Sequence, residues 1–156
     1  MIKYRKVAVG GTFDELHKGH KKLLDKAFEI GQEVIVGLSS DEFVLKMGKP
    51  HKTASYNERL LDLQAFLVEQ GLDAKAKIVT LNDPFGLTIS GKGLEALVVS
   101  QETERIAIKI NEIREKAGLP PLKIVTVNMV PAENKIPIST TRIRSGEIDR
   151  NGHLLT

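Results

Sequence analysis

The chain of 156 residues contains no cysteine and no tryptophan, and only 4% of its residues are aromatic. Without cysteine the protein has no disulfide bond, no thiol nucleophile and no thiolate metal site. The scarcity of aromatic side chains argues against a base-stacking platform for single-stranded nucleic acid. No apolar run approaches the ~18 residues of a membrane-spanning helix, and the N-terminal residues lack the apolar segment of a signal peptide. We therefore expect a cytoplasmic protein with neither nucleic-acid nor membrane partners.

The composition is typical of a globular domain, with 41% hydrophobic and 28% charged residues. The length allows one domain with its own core and is short for two, so we expect a single domain over residues 1–156. The net charge of +3 mildly favours anionic partners. Because the basic residues alternate with acidic ones, the charge does not by itself indicate nucleic acid.

The first chemical motif, GGTFDELHKGH, begins at Gly10. It follows Val7–Val9, which predicts a buried strand, and precedes apolar residues at helical spacing. Gly10 and Gly11 permit a tight turn close to a ligand, and free N–H groups at the start of the helix favour an anion. His17 and His20 project from one face of the first helical turn, where both rings are suited to donate hydrogen bonds to phosphate.

Other interpretations of this motif have weaker support. Its spacing matches neither the dinucleotide fingerprint nor the P-loop. The two histidines could chelate zinc, but His51 and His153 offer no ligand spacing, and a purely structural role for the pair also stays open. Gly19 between the histidines leaves this face open to a flat or phosphorylated ligand.

The second motif, ISTTRIR, begins at Ile138 and follows a predicted strand and loop. Ser139 or Thr140 can cap a new helix, while free N–H groups and hydroxyls face an anion. Arg142 adds a planar, permanently charged group suited to phosphate. Three hydroxyl residues followed by arginine favour polyphosphate binding over capping alone.

Between the motifs, apolar runs alternate with helical patterns. The predicted strands are Val7–Val9, Glu33–Leu38, Lys77–Leu81, Glu95–Ser100 and Lys123–Val130. Predicted helices follow the first motif, Ser40 and Ser55, and a further helix after the fourth strand runs to about Lys116. The helix after Ser55 has apolar residues at core spacing, namely Leu60, Leu61, Leu63, Phe66 and Leu67. This alternation predicts a three-layer α/β domain with a mostly parallel sheet, which binds ligands beyond the carboxyl ends of its strands.

Two connecting segments are candidates for substrate contact. A polar, mobile loop is predicted from Lys46 to Thr53, and any of Lys46, Lys49 and Lys52 could screen a phosphate or remain a solvated surface charge. Asp83 lies in a turn after the third strand, where a turn-stabilising role is favoured over binding of magnesium or substrate.

The two motifs resemble the GTFD, HxGH and ISSTRIR signatures of the nucleotidylyltransferase superfamily. Within it, Ser100–Thr103 resembles the VVSxET motif of the archaeal and eukaryotic phosphopantetheine adenylyltransferase family, whereas the bacterial type carries arginines there. Lys49–Thr53 with the following Tyr56 and Arg59 is similar to a family segment in which a lysine binds ligand phosphate. The resemblance covers essentially the whole chain.

The resemblance implies a Rossmann-like domain with five strands in the order 3-2-1-4-5. It also implies transfer from ATP to 4′-phosphopantetheine, which gives dephospho-coenzyme A and pyrophosphate, with Mg²⁺ bridging the phosphates. It is compatible with binding of coenzyme A as a product and implies no oligomeric state. Flavin adenylyltransferases and glycerol-3-phosphate cytidylyltransferases share the first motif, and a non-catalytic nucleotide-binding module is a further alternative.

The resemblance also implies roles for individual residues. Thr12 would position the incoming phosphate, His17 and His20 would contact the α-phosphate, and Lys52 or a neighbouring lysine would screen charge. The residues expected to bind the nucleotide and its phosphates are Gly10, Gly11, Thr12, Phe13, His20, Ser100, Glu102, Asn111, Arg114, Ile138, Ser139, Thr140, Thr141 and Arg142. For Arg114 a surface salt bridge is the alternative, and no side chain is expected to hold a resident metal.

Overall fold

A five-stranded parallel sheet forms the centre of the computed structural model, which describes residues 2–48, 52–85, 93–128 and 130–155. The strands are β1 (Tyr4–Gly11), β2 (Gly31–Ser39), β3 (Ala76–Leu81), β4 (Ala96–Ser100) and β5 (Lys123–Val127). Their order is β3-β2-β1-β4-β5, and every neighbouring pair is parallel. This confirms the predicted topology, in which the strand order reverses at β1.

Helices cover both faces of the sheet. In the described residues they are α1 (Lys18–Ile30), α2 (Asp41–Met47), α3 (Tyr56–Glu69), α4 (Glu104–Lys116) and α5 (Thr140–Arg144), with a 3₁₀ turn at Asp73–Lys75. Val7 and Val9 of β1 pack in one core cluster with the apolar sides of α1 and α3. Ala8 between them packs in a second cluster with α4, as the alternation of a strand requires. All three side chains are fully buried, as expected for the central strand of a parallel sheet.

The predicted helix starts are largely confirmed. The Ser40 hydroxyl accepts the N–H of Phe43 at 3.1 Å, and Ser55 accepts the N–H of Glu58 at 3.3 Å. The core prediction for α3 is wrong at Leu61, which is 65% exposed. Residues 63, 66 and 67 are buried on the sheet side of α3, and Leu61 lies outside that apolar stripe.

Several boundaries differ from the predictions. β5 ends at Val127 rather than Val130, and α2 extends to Met47, so that Lys46 is helical rather than in a loop. Residues 49–51, which include Lys49, lie outside the described residues. The Asp83 carboxylate accepts the N–H of Phe85 at 2.8 Å, which confirms the predicted turn.

The C-terminal segment, residues 130–155, has a small core of its own. Ala132, Ile138 and Ile148 form a buried cluster there, and α5 lies within this segment. Short antiparallel bridges at Pro131–Pro137 and Ile148–Leu154 hold its turns. Among the described residues, no helix has the length and apolar character needed to cross a membrane.

Candidate active site

A cleft of about 510 Å³ lies at the carboxyl ends of β1, β4 and β5. It is lined by residues from both sequence motifs and from the end of β4. The predicted residues that the structure brings together here are Gly10, Gly11, Phe13, His17, His20, Ser100, Glu102, Ile138, Ser139, Thr140 and Thr141. The cleft is therefore where the chain juxtaposes its phosphate-binding motifs.

His17 and His20 form a reciprocal cap at the start of α1. Nδ1 of His17 accepts the N–H of Gly19 at 3.0 Å and that of His20 at 3.4 Å. Nδ1 of His20 accepts the N–H of His17 at 3.2 Å. The rings stack with centroids 3.7 Å apart, and Phe13 packs its ring edge-on to His20 at 5.4 Å. This is a capping box in which both side chains are imidazoles.

The cap fixes the tautomer of both histidines. A nitrogen that accepts a hydrogen bond presents its lone pair, so the ring proton of each neutral imidazole is on Nε2. Burial lowers the pKa of His17 from 6.5 to about 4 and outweighs the opposing charges of Asp14 and Glu15. His17 is therefore neutral at pH 7 and can donate a hydrogen bond through Nε2 without carrying charge.

The start of α1 differs from the prediction that its backbone N–H groups would bind an anion. The N–H of Lys18 donates to a carbonyl of the C-terminal segment at 3.1 Å, and that of Lys21 donates to the His17 carbonyl at 3.0 Å. The two N–H groups between them donate to the His17 ring. A Cβ on Gly19 would lie 2.8 Å from Cε1 of His17, so this glycine makes room for the capping ring. A ligand at this helix end meets imidazoles rather than main chain.

The hydroxyl residues of the second motif are partly used inside the protein. The Ser139 hydroxyl oxygen caps α5 by accepting the N–H of Arg142 at 3.2 Å, which leaves its O–H able to donate. Thr140 donates its hydroxyl to the Asp14 carbonyl at 2.9 Å. Thr141 is exposed at the edge of the cleft. Ser139 and Thr141 are therefore the hydroxyl donors best placed for a phosphate.

The guanidinium of Arg142 does not line the cleft, contrary to its predicted role. It donates to the carbonyls of Ile136 at 2.9 Å and Pro137 at 3.0 Å and to the side chain of Asn134 at 3.1 Å. Its Nε lies 3.0 Å from the Glu147 carboxylate. Because both terminal nitrogens of the guanidinium donate within this segment, Arg142 stabilises the loop before α5, and its charge is directed away from the cleft.

Asn111 and Arg114 also serve the fold rather than the cleft. The Asn111 side chain accepts the N–H of Leu122 at 2.7 Å and donates to its carbonyl at 3.0 Å. Arg114 is 3% exposed, and its Nε donates to the Pro120 carbonyl at 2.9 Å. Both side chains tie α4 to the segment before β5, and neither of them lines the cleft. Their predicted contact with the nucleotide stays a prediction.

The second arginine of ISTTRIR takes a role that sequence reasoning missed. Nε and Nη2 of Arg144 donate to the two oxygens of Asp14 at 2.7 and 2.8 Å. Asp14 is 1% exposed and also accepts the N–H of Ala54 at 3.2 Å. The hydrogen bond from Arg144 to Asp14 raises the pKa of Arg144, because the carboxylate stabilises the guanidinium cation. The signal was present, since each partner belongs to a motif, but their pairing is not visible in the sequence.

Arg59 is a second missed residue. It is 1% exposed, and its guanidinium donates to the carbonyls of Thr12 and Ala54 at 2.9 Å and of Ser39 at 2.8 Å. Its fourth acceptor is the Asp41 carboxylate at 3.0 Å. Arg59 therefore holds together the ends of β1 and β2 and the segment after Lys52.

A mostly apolar cavity of about 350 Å³ adjoins the cleft. It shares Gly10, Gly11 and Thr103 with the cleft, whereas Thr12, which follows the two glycines in the chain, lines the cavity only. The apolar side chains that line it come from α2, α4 and the ends of the strands, and they are Phe43, Met47, Leu81, Pro84, Leu97, Val98, Val99, Ile106, Ala107 and Ile110. The site thus combines a polar compartment with an apolar one.

Lys52 lies apart from the histidines. It is exposed and lines a third cavity of about 730 Å³ together with Thr53, Ser55 and Arg144. It does not line the cleft, and which lysine contacts substrate phosphate stays a prediction.

Comparison with known proteins identifies the family. Residues 8–146 match the cytidylyltransferase-like family model. The phosphopantetheine adenylyltransferase of Methanothermobacter thermautotrophicus is 47% identical over 98% of this chain and 91% of its own. That of Methanosarcina mazei is 49% identical over 96% of each chain. A crystal structure of a protein of unknown function from Archaeoglobus fulgidus matches with a TM-score of 0.71 and 32% identity, over 86% of this chain and 99% of that one. The chain belongs to the cytidylyltransferase-like family and, within it, groups with the archaeal phosphopantetheine adenylyltransferases.

Proposed function

We propose that this protein is an adenylyltransferase that joins ATP and 4′-phosphopantetheine to give dephospho-coenzyme A and pyrophosphate, a step of coenzyme A biosynthesis. The observation that carries the proposal is the adjacency of the two compartments. The cleft offers imidazole and hydroxyl donors suited to phosphates, and the cavity beside it offers apolar walls. The names of the curated relatives agree with this reading.

The acceptor fits this arrangement because it has two chemically different ends. Its phosphate must face the α-phosphorus of ATP, whereas its pantetheine arm carries methyl groups and a methylene chain that gain from burial. Gly10 and Gly11 line both the cavity and the cleft, and Thr12, the next residue of the chain, lines the cavity. We place the acceptor phosphate at this junction and the arm in the cavity.

The reaction needs no protein nucleophile. An oxygen of the acceptor phosphate attacks the α-phosphorus of ATP, a new P–O bond forms, and the bond to the bridging oxygen of pyrophosphate breaks. The work of the protein is alignment and stabilisation of the charge that develops on the phosphates. His17 and His20 would donate from Nε2 to α-phosphate oxygens, while Ser139 and Thr141 would donate to the leaving pyrophosphate.

Magnesium enters the proposal as part of the substrate MgATP. Glu102 is the carboxylate that lines the cleft, and the described residues contain no group of three His, Asp or Glu side chains that could hold a metal ion. When bound, the ion neutralises phosphate charge.

The location that we propose is the cytoplasm, and nucleic acid is not among the proposed partners. Binding of coenzyme A, the end product of the pathway, at the same site is also part of the proposal. Its pantetheine arm would enter the same cavity as that of the acceptor.

The rival acceptors define the test of this function. Pyrophosphate release is measured with ATP, Mg²⁺ and either 4′-phosphopantetheine, flavin mononucleotide or glycerol 3-phosphate, the last also with CTP. We expect release with 4′-phosphopantetheine alone. Release with another acceptor would support nucleotidyl transfer but would contradict 4′-phosphopantetheine as the acceptor. ATP binding without release in any mixture would favour a nucleotide sensor.

A further inference from the structure

Asp14 contacts two segments that carry predicted phosphate ligands. Its carboxylate binds Arg144 of α5 through two hydrogen bonds of 2.7 and 2.8 Å. The same carboxylate accepts the N–H of Ala54 at 3.2 Å, two residues after Lys52. Its carbonyl accepts the Thr140 hydroxyl at 2.9 Å. One buried residue therefore joins the second motif and the segment after Lys52 to the turn in which it lies.

The turn around Asp14 has an unusual backbone. Phe13 and Glu15, on either side of it, have φ angles of 51° and 58°, in the left-handed region that side chains other than glycine rarely adopt. Such conformations persist where surrounding contacts hold them. The turn connects Thr12, which lines the apolar cavity, to the capping ring of His17, which lines the cleft. The contacts of Asp14 thus set the spacing between these two side chains.

We propose that Asp14 is a positioning residue for adenylyl transfer, an inference that rests on the proposed function. It is 1% exposed and acts through the segments that it holds rather than on substrate. In-line transfer requires the acceptor phosphate, the α-phosphorus and the leaving pyrophosphate to be aligned at once. Thr12, the His17–His20 pair and the Ser139–Thr141 segment hold these three groups in the proposed function. A contact that connects the three sets of ligands therefore controls their alignment.

The test compares kcat with KM in variants of the ion pair. D14N removes the charge that faces Arg144 with little change in volume, and we expect kcat to fall about 100-fold, the scale of a small misalignment. The KM values for both substrates should change by about threefold at most, since the groups that touch them remain. R144K keeps the charge but loses the two-pronged contact, and we expect about a tenfold loss of kcat with an almost unchanged Tm.

The matched control is E15Q. Glu15 is adjacent to Asp14 and also lies 3.4 Å from Arg144, but it is 19% exposed and pairs at 2.9 Å with the half-exposed Arg150. We expect E15Q to keep wild-type kcat. Because D14N and R144K break the same contact, the double variant should be no slower than D14N alone.

Each outcome decides between positioning and mere stability. A D14N protein that is folded at the assay temperature and retains wild-type kcat would overturn the proposal, as would E15Q losing as much activity as D14N. If D14N does not fold, R144K decides: a wild-type kcat in R144K would overturn the proposal, and a tenfold loss at unchanged Tm would support it. A wild-type protein that forms no product would instead contradict the proposed function, and the positioning role with it.

Discussion

His17 and His20 stack with ring centroids 3.7 Å apart, and Nδ1 of each ring accepts a backbone N–H of the same helix start. The arrangement gives each histidine two separable properties. Nδ1 caps the helix, and Nε2 carries the proton that can be donated to phosphate. Variants that mimic one nitrogen and not the other can therefore separate folding from catalysis.

Asparagine at position 20 ends near the place of Nδ1 and can keep the cap, but it cannot reach the place of Nε2. We expect H20N to lower kcat/KM about 100-fold or more, as removal of one transition-state donor does. The free energy of unfolding should stay within about 1 kcal/mol of wild type. H20Q, whose amide reaches the Nε2 position, should be more active and less stable than H20N. Steady-state kinetics and urea unfolding measure both quantities.

The control for this pair is H153N, because His153 is exposed on the C-terminal segment and contacts Asp149. It should leave turnover unchanged. An H20N variant with full turnover would show that the ring is not a phosphate donor, and one that loses its fold together with its activity would show that the two properties of His20 are not separable.

The buried His17 makes stability depend on pH. Its pKa is about 4 in the folded state, against an ordinary value of 6.5. Between these values the unfolded chain binds the extra proton, so stability is complete above pH 6.5 and is lost as pH falls towards 4. From pH 7 to pH 5 the loss should be about 2 kcal/mol. H17N should show a flatter pH profile of the free energy of unfolding, and equal slopes in both proteins would contradict the assignment.

Arg59 should be among the residues on which the fold depends most. Its guanidinium has four acceptors, of which three are main-chain carbonyls. R59A leaves those groups unpaired, and we expect a loss of about 3 kcal/mol or more. D41N removes only the exposed carboxylate and should cost less than about 1 kcal/mol. Urea unfolding measures the loss in the free energy of unfolding for both variants. Similar losses in R59A and D41N would contradict the central role of the main-chain contacts of Arg59.

Asn111 should matter for stability and not for the nucleotide. N111A removes both hydrogen bonds to the main chain of Leu122. We expect a loss of about 1–3 kcal/mol in the free energy of unfolding, with the KM for ATP within about twofold of wild type. A large rise in that KM at unchanged stability would restore the role predicted from the sequence.

The apolar cavity can be tested by filling it. Ile106 lines the cavity, whereas Ile108 on the same helix is 50% exposed and does not. We expect I106W to raise the KM for 4′-phosphopantetheine about tenfold, which corresponds to about 1.4 kcal/mol, and to leave the KM for ATP unchanged. I108W should change neither KM. If the two variants behave alike, the arm of the acceptor binds elsewhere.

The local features of the fold were accessible from the sequence because each depends on neighbouring residues. Ser40 and Ser55 cap helices as predicted, and the run Val7–Val9 is the buried central strand. The strand order came from the resemblance, since nothing in apolar spacing alone determines which strand is central. Leu61 was misassigned because an apolar residue beside a stripe looks like part of it.

The sequence predicts which motifs form the site, but not the hydrogen bonds and ion pairs that connect them. Gly10 to His20 and Ser139 to Thr141 do meet at one cleft. The pairing of Asp14 with Arg144 joins residues 130 positions apart, and no local pattern reports it. Arg142 was given the phosphate role because an arginine after hydroxyl residues suits an anion, whereas its own loop occupies the guanidinium.

The most direct measurement is product formation by the wild-type protein with ATP, Mg²⁺ and 4′-phosphopantetheine. Dephospho-coenzyme A is identified by its mass and quantified beside pyrophosphate. We expect both products in equal amounts, and neither of them when the acceptor is omitted. ATP binding without formation of dephospho-coenzyme A would contradict the proposed function.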